Sequence, residues 1–306
     1  MKKTFLAILL TILSLSTSYS QKRFITVDNT KICINTLGLE NRQKGQPVIV
    51  FQSGMGTPMG NWDTILESVS KMAPLITYDR PGIGESDPTE EMPTIKNVSD
   101  RLIKILNYLK VDPPYVLVGH SLGGVYVRGF ANYYPELLAG IVIIDPGDFT
   151  ETQENKRQYF TDIGLKDSYI DSLFKKFDKE SVENKSKSTA PRSIQNEGTV
   201  LEDLRKSYFE EINSTALPNI PVHILTGGRY DTPVRLRRTE YNDSLLFRSK
   251  MQHRSSRWIN VIQSVDKGMF FYSADAGHFV HRDDPELAIS SIRIVLQDYF
   301  LLKSKK

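Results

Sequence analysis

The chain has 306 residues, 40% of them hydrophobic and 25% charged, with a formal net charge of +3. That length can bury a large core as one α/β domain or two smaller ones, and the composition is that of an ordinary soluble globular protein. The near balance of 39 basic and 36 acidic residues argues against a nucleic-acid partner, and no repeat or heptad pattern points to a fibrous or solenoid build.

The first segment stands apart. Met1-Lys2-Lys3 is a positive start, Phe5 to Leu15 is almost wholly apolar, and "STSYSQ" follows with small residues. Ser18 and Ser20 stand three and one before a cut ahead of Gln21. This predicts a secretory signal peptide over residues 1–20 and an exported protein, periplasmic or secreted. The apolar run is short for a bilayer span, so no stable membrane span is expected once the segment is removed; a retained anchor is the alternative. Removal takes two lysines and no acid and leaves the mature chain nearly neutral. Cys33 is the single cysteine, so an exported chain has no intrachain disulfide to draw on.

From residue 23 the pattern alternates and breaks at Asp28-Asn29, which predicts an opening hairpin. "VIVF" after Pro47 and "LITYD" (75–79) read as buried strands, with a helix over 61–72 between them. Ile95, Val98, Leu102, Ile105, Leu106 and Leu109 trace a helix stripe behind Thr94, a candidate N-cap. A strand over 115–120, a helix after Ser121 and a strand "GIVIID" (140–145) continue the series. Strand and helix alternate from residue 47 on, so the fold class is α/β with a mainly parallel sheet.

The alternation stops at Pro146. Residues 147–216 carry two helical stripes, one through Tyr169, Ile170, Leu173, Phe174 and Phe177, the other through Val200, Leu201, Leu204, Tyr208 and Ile212. Between them 181–198 is nearly devoid of apolar residues and is expected to be an exposed loop. Strands over 220–228 and 267–274 and a last helix from Pro285 resume the pattern. The expectation is one domain over 21–306 carrying a helical cap insertion at about 147–216; a second independent domain is the alternative.

The chemistry concentrates at "YVLVGHSLGGVYVRGFA" (115–131). Gly119-His120-Ser121-Leu122-Gly123 sets a serine between glycines where a strand turns into a helix. Such a turn holds the hydroxyl above the sheet, next to the free N–H groups of a helix N-terminus. A plain glycine-rich turn has the same letters; the strand before and the helix after give the motif its weight.

A serine hydroxyl needs a base, and the base an orienting acid. Of five histidines, His120 adjoins the serine, His223 lies mid-strand and His253 in a polar helical stretch. His278 follows Gly277 just past a strand end, and His281 is the reserve. For the acid, Asp145 ends "GIVIID" and Asp231 lies just beyond the strand at 222–226. Either reaches the histidine from the carboxyl edge of the sheet. Asp231 is the choice: its loop behind Gly227-Gly228 is long enough to bring the carboxylate under the histidine, and the chain order is then Ser, Asp, His. Asp145, followed at once by Pro146, reads instead as a cap of the turn. Backbone donors for an oxyanion are expected from Leu122 and from Met55, in the glycine-rich stretch "FQSGMGTPMGNW" (51–62).

The sequence also carries two weaker patterns. The strand followed by Gly54-x-Gly56, with Asp79 ending the next strand, resembles part of a dinucleotide fingerprint, but Met59 holds the third glycine's place. The H-x-x-H pair His278 and His281, with Asp283 and Asp284 nearby, suggests a metal site, but the spacing lacks a third well-placed ligand, so no metal is expected.

Together "VIVFQSGMG", "YDRPGIGESD", "YVLVGHSLGG", "YYPELLAGIVIIDP", "LTGGRYD" and "AGHFVHRDDPE" resemble the α/β-hydrolase family from about residue 21 to the end. The resemblance implies Ser121 as nucleophile, His278 as base, Asp231 as acid and an oxyanion hole at Met55 and Leu122. It implies that 79–82 is a structural turn. Ser53 departs from the family, standing where many members carry the histidine of a His-Gly pair. A serine nucleophile argues against the dehalogenase and epoxide hydrolase branches. The function this implies is a carboxylesterase-like hydrolase that forms an acyl-enzyme on Ser121, acts on a small-molecule substrate and needs no cofactor. A ligand-binding sensor with little turnover and a nucleotide-binding oxidoreductase are the alternatives.

Overall fold

In the computed structural model, which describes residues 22–304, Asp28 and Asn29 both adopt left-handed backbone, φ 49° and 59°. Two successive positive φ angles are what a two-residue hairpin turn requires. They join β1 (Arg23–Val27) to β2 (Thr30–Leu37) as an antiparallel pair. The predicted signal segment lies outside the described residues.

The chain then alternates through β3 (Val48–Gln52), α1 (Asp63–Ser70), β4 (Leu75–Tyr78), α2 (Ile95–Tyr108), β5 (Tyr115–His120), α3 (Leu122–Tyr133) and β6 (Leu138–Ile144). Four helices follow: α4 (Gln153–Asp162), α5 (Asp167–Ser186), α6 (Arg192–Lys206) and α7 (Glu210–Asn213). β7 (Val222–Gly227), α8 (Asp243–Ile262), β8 (Gly268–Ser273), α9 (Val280–Asp283) and α10 (Pro285–Lys303) complete the chain. Thr94 caps α2 as expected, its hydroxyl accepting from the Asn97 N–H.

The eight strands form one sheet in the order β1-β2-β4-β3-β5-β6-β7-β8. β3 through β8 pair in parallel; β2 joins them antiparallel to β4. Both faces are covered, which explains the unbroken apolar runs of β3, β5 and β6. Val48, Val50, Leu117, Ile141 and Ile143 enter the core shared with α2, α3 and Trp258 of α8. Their neighbours Ile49, Phe51, Val116, Val118, Val142 and Ile144 enter the core shared with α1 and α10. The period of two thus splits each strand between two cores. This is an α/β-hydrolase fold.

The helices between β6 and β7 pack in two ways. Val200, Leu201 and Leu204 of α6, with Phe209 and Ile212, join the first core. Tyr159, Phe160, Ile170 and Leu173 of α4 and α5 form a small separate core with Leu246 of α8. Phe174 and Phe177 stack near Phe160, and Phe209 is fully buried, so these aromatics serve packing.

The stretch 181–198, expected to be a loop, is mostly helical: α5 runs to Ser186 and α6 begins at Arg192. The correction has a simple cause. These helices carry their polar residues as surface pairs such as Lys185 with Glu202, 3.3 Å apart, and low apolar content is no bar to a helix held by its neighbours. Among the described residues no helix is long and apolar enough to cross a membrane.

Candidate active site

β5 ends at His120, α3 begins at Leu122, and Ser121 between them has φ 55° and ψ −120°. That is a sparsely populated conformation for a residue with a Cβ, and a costly one unless the surroundings impose it. Here they do. The Ser121 N–H donates to the Ile144 carbonyl at 3.0 Å, and the Ser121 carbonyl accepts from Gly124 N–H at 3.0 Å and Gly147 N–H at 3.3 Å. The flanking glycines have no substitute: a Cβ on Gly123 would overlap the Gln52 carbonyl, and one on Gly119 would overlap the Gly123 carbonyl. β3, β5 and α3 pass too close for any side chain between them.

Asp145 follows β6 directly and also lies in the left-handed region, φ 39°. Its N–H donates to the Leu225 carbonyl at 2.7 Å, so strands β6 and β7 fix its backbone. One carboxylate oxygen, Oδ2, lies 2.6 Å from His278 Nδ1. The other, Oδ1, accepts from the Thr226 hydroxyl at 2.7 Å and lies 3.3 Å from Arg254 Nη2 of α8. Burial pushes the Asp145 pKa up, but the charge of Arg254 and the bonds from His278 and Thr226 outweigh it, and the net shift is downward. Asp145 is therefore a carboxylate at neutral pH.

His278 is held from a second side. Its carbonyl oxygen lies 2.9 Å from His120 Nε2. A carbonyl can only accept, so His120 carries its proton on Nε2. Burial lowers the His120 pKa to about 3, and the ring stays neutral. His281 is buried against Trp62, ring centroids 4.4 Å apart, with Nε2 2.8 Å from Asn61 Nδ2. Its pKa is pushed down to about 2, mainly by burial. His223 pairs with Ser291, and His253 with Asp162. Of the five, His278 alone meets Asp145.

The expected acid needs correction. Asp231 does not bond His278; its nearest charged partner is Arg229, at 3.6 Å, and its side chain is 54% exposed against 9% for Asp145. The Asp231 carboxylate rests against the Cα of Gly277, where an added Cβ would strike it. The loop after β7 brings Asp231 beside the histidine's chain but not to its ring, whereas the end of β6 delivers Asp145 straight to Nδ1. Chain order does not separate the two, since Ser121, Asp145 and His278 also run Ser, Asp, His, and the loop behind Gly227-Gly228 falls short of the reach expected of it.

The Met55 N–H has no acceptor among the described residues, and Leu122 opens α3, where an N–H has no intrahelical partner. Both expected oxyanion donors are thus free at the loop and elbow. Ser53, the departure from the family pattern, accepts from Trp62 Nε1 at 3.0 Å and anchors this loop. Asp79 is occupied by backbone, accepting from Met59 N–H at 2.6 Å and Glu85 N–H at 3.0 Å. That leaves it no role toward a dinucleotide ribose.

A profile of the alpha/beta hydrolase fold family matches residues 47–208. The chain belongs to this family. It is 28% identical over 151 residues to an abhydrolase domain-containing protein, abhd-5.2, of Caenorhabditis elegans, covering 45% of this chain and 32% of that one. It is 26% identical over 130 residues to a (lyso)-N-acylphosphatidylethanolamine lipase of Mus musculus, covering 42% of this chain and 38% of that one. The match thus spans about a third of the length of these curated relatives. Among solved structures, the epoxide hydrolase CorEH superposes with a TM-score of 0.60 at 14% identity, over 91% of this chain and 99% of that one. At that identity the likeness is one of fold alone.

Proposed function

We propose that this α/β-hydrolase-fold chain is a serine hydrolase that cleaves an ester-type bond in a small molecule, with Ser121, His278 and Asp145 as nucleophile, base and acid. One observation carries the reading: the strained serine of the elbow shares the sheet edge with a histidine whose Nδ1 is bonded to a buried, ionised aspartate. Donation of Nδ1–H to Asp145 leaves Nε2 as the lone pair that accepts the Ser121 proton. Ser121 Oγ then adds to the substrate carbonyl, and the N–H groups of Met55 and Leu122 receive the oxyanion. His278 passes its proton to the leaving alcohol, and the acyl-enzyme forms. Water, deprotonated by His278, releases the acid and restores Ser121. The mouse relative named as a lipase adds support for an ester-type bond.

Purified protein is expected to hydrolyse short-chain aryl esters and to be labelled at Ser121 by a fluorophosphonate probe. Ser121→Ala is expected to lose roughly 10⁴-fold or more in turnover. Equal turnover by both proteins defeats the proposal. Ligand-induced stabilisation with neither turnover nor labelling favours a binding role.

The apolar segment at 5–15 further supports export, with the mature chain starting at Gln21.

A further inference from the structure

Arg80 and Glu197 are both buried, 4% and 2% exposed, and come from distant parts of the chain. Arg80 follows β4; Glu197 lies on α6, among the helices between β6 and β7. Arg80 Nε donates to Glu197 Oε1 at 2.7 Å, Nη1 to the Ser53 carbonyl at 2.6 Å, and Nη2 to the Gly54 carbonyl at 2.7 Å. The second Glu197 oxygen accepts from the Gly56 N–H at 2.8 Å.

These bonds grip the two peptide planes that share the Met55 Cα. In a trans peptide the C=O and N–H point in opposite directions. A guanidinium on the Gly54 carbonyl therefore turns the Met55 N–H, which belongs to the same plane, away from Arg80. It also polarises that plane, making the N–H a stronger donor. Glu197 fixes the next plane through Gly56 N–H. The loop is glycine on both sides of Met55, so its own backbone imposes little on these planes. Gly54 meanwhile packs against the elbow, where an added Cβ would fall 3.2 Å from the Ser121 Cβ.

We infer that Arg80 and Glu197 are positioning residues for the oxyanion site, and that the Met55 donor is set only when α6 is seated with Glu197 on Arg80. The inference rests on the serine hydrolase reading. It gives the Arg80 of the expected structural turn a task in the reaction, and it makes the helices between β6 and β7 part of the site rather than only its cover. Lifting α6 takes the carboxylate from Arg80 and frees the Gly56 N–H, so the loop loses one anchor and the other loses the partner that orients it.

The test compares wild type with Glu197→Gln, Arg80→Met and the double variant Arg80→Met/Glu197→Met on an aryl ester and on an aryl boronic acid, which forms a tetrahedral adduct on a catalytic serine. Each change is expected to lower kcat about 10- to 100-fold, less than the roughly 10²- to 10³-fold that loss of a whole oxyanion donor costs. The inhibition constant of the boronic acid is expected to rise by a similar factor while KM stays within about threefold. A merely structural loss lowers the fraction of active enzyme without this split between tetrahedral and ground-state affinity. The double variant removes both charges at similar volume, so it keeps the fold even where one charge alone is not tolerated. Wild-type kcat and boronic acid affinity in the double variant overturn the inference while leaving Ser121 as nucleophile. Turnover that survives Ser121→Ala overturns the hydrolase reading and this inference with it.

Discussion

His278 Nδ1 and Asp145 Oδ2 are 2.6 Å apart, the shortest link in a chain that ties the last loop of the sheet to the end of β6. This contact separates two carboxylates that are equivalent on paper. Asp145→Asn is expected to lower turnover roughly 10⁴-fold with folding intact, because the amide no longer holds the imidazole tautomer or stabilises its cation. Asp231→Asn is expected to stay within about fivefold of wild type, since a half-exposed carboxylate paired with Arg229 makes no bond to the ring. Steady-state kinetics at matched thermal stability decide it; a collapse in Asp231→Asn with activity kept in Asp145→Asn reverses the roles.

Arg254 sets the charge state of that acid. Burial raises the Asp145 pKa, and Arg254 is the strongest opposing influence. Replacing Arg254 with methionine removes that influence and leaves burial opposed only by the bonds from His278 and Thr226, so Asp145 takes up its proton at higher pH than before. In the carboxyl 13C NMR titration profile of Asp145 the protonation step is expected to move upward, with lysine at 254 restoring much of the difference. An unmoved profile shows that Arg254 only packs.

Three buried histidines make stability depend on pH. Burial lowers His120 to about 3, His223 to about 4 and His281 to about 2. Unfolding returns each to about 6.5, so between that value and the folded pKa the unfolded chain binds more protons. Stability is whole above about pH 6.5 and falls as pH drops below it, by about 1.4 kcal/mol per pH unit for each histidine. Asp145, lowered in the fold, adds its own loss only below the ordinary carboxylate range. Urea unfolding at pH 7, 6 and 5 measures the slope, and His223→Gln is expected to reduce it by about a third. A flat midpoint across that span contradicts the assignment.

Gly123→Ala tests the elbow's packing. The new methyl would meet the Gln52 carbonyl, a backbone atom inside the sheet that cannot give way. The expected cost is at least about 3 kcal/mol, at the top of the range for overpacking. Chemical denaturation reports it, and a wild-type midpoint contradicts the close approach of β3 and α3.

The export proposal predicts a mature chain beginning at Gln21. N-terminal sequencing of protein from the native host reads this directly; a cytoplasmic chain starting at Met1 defeats it.

Much of this protein was legible in its sequence, for reasons that lie in local physics. Apolar runs with a period of two or of 3.6 mark strands and helices whatever surrounds them, so the alternation from Val48 onward reveals a parallel sheet covered on both faces. A serine between Gly119 and Gly123 at a strand-to-helix junction is likewise a local event, as is the Asp28-Asn29 turn. The acid was different. Asp145 and Asp231 both follow strands at the same sheet edge, and no local signal ranks them. What ranks them is the left-handed turn at Asp145, the cation of Arg254 from α8 and the Thr226 hydroxyl from β7. The polar stretch 181–198 misled for a related reason, since its helices draw support from partners far along the chain. The pairing of Arg80 with Glu197 spans 117 positions. Nothing near either residue announces it, because an ion pair becomes a buried clamp only when tertiary packing removes the water around it.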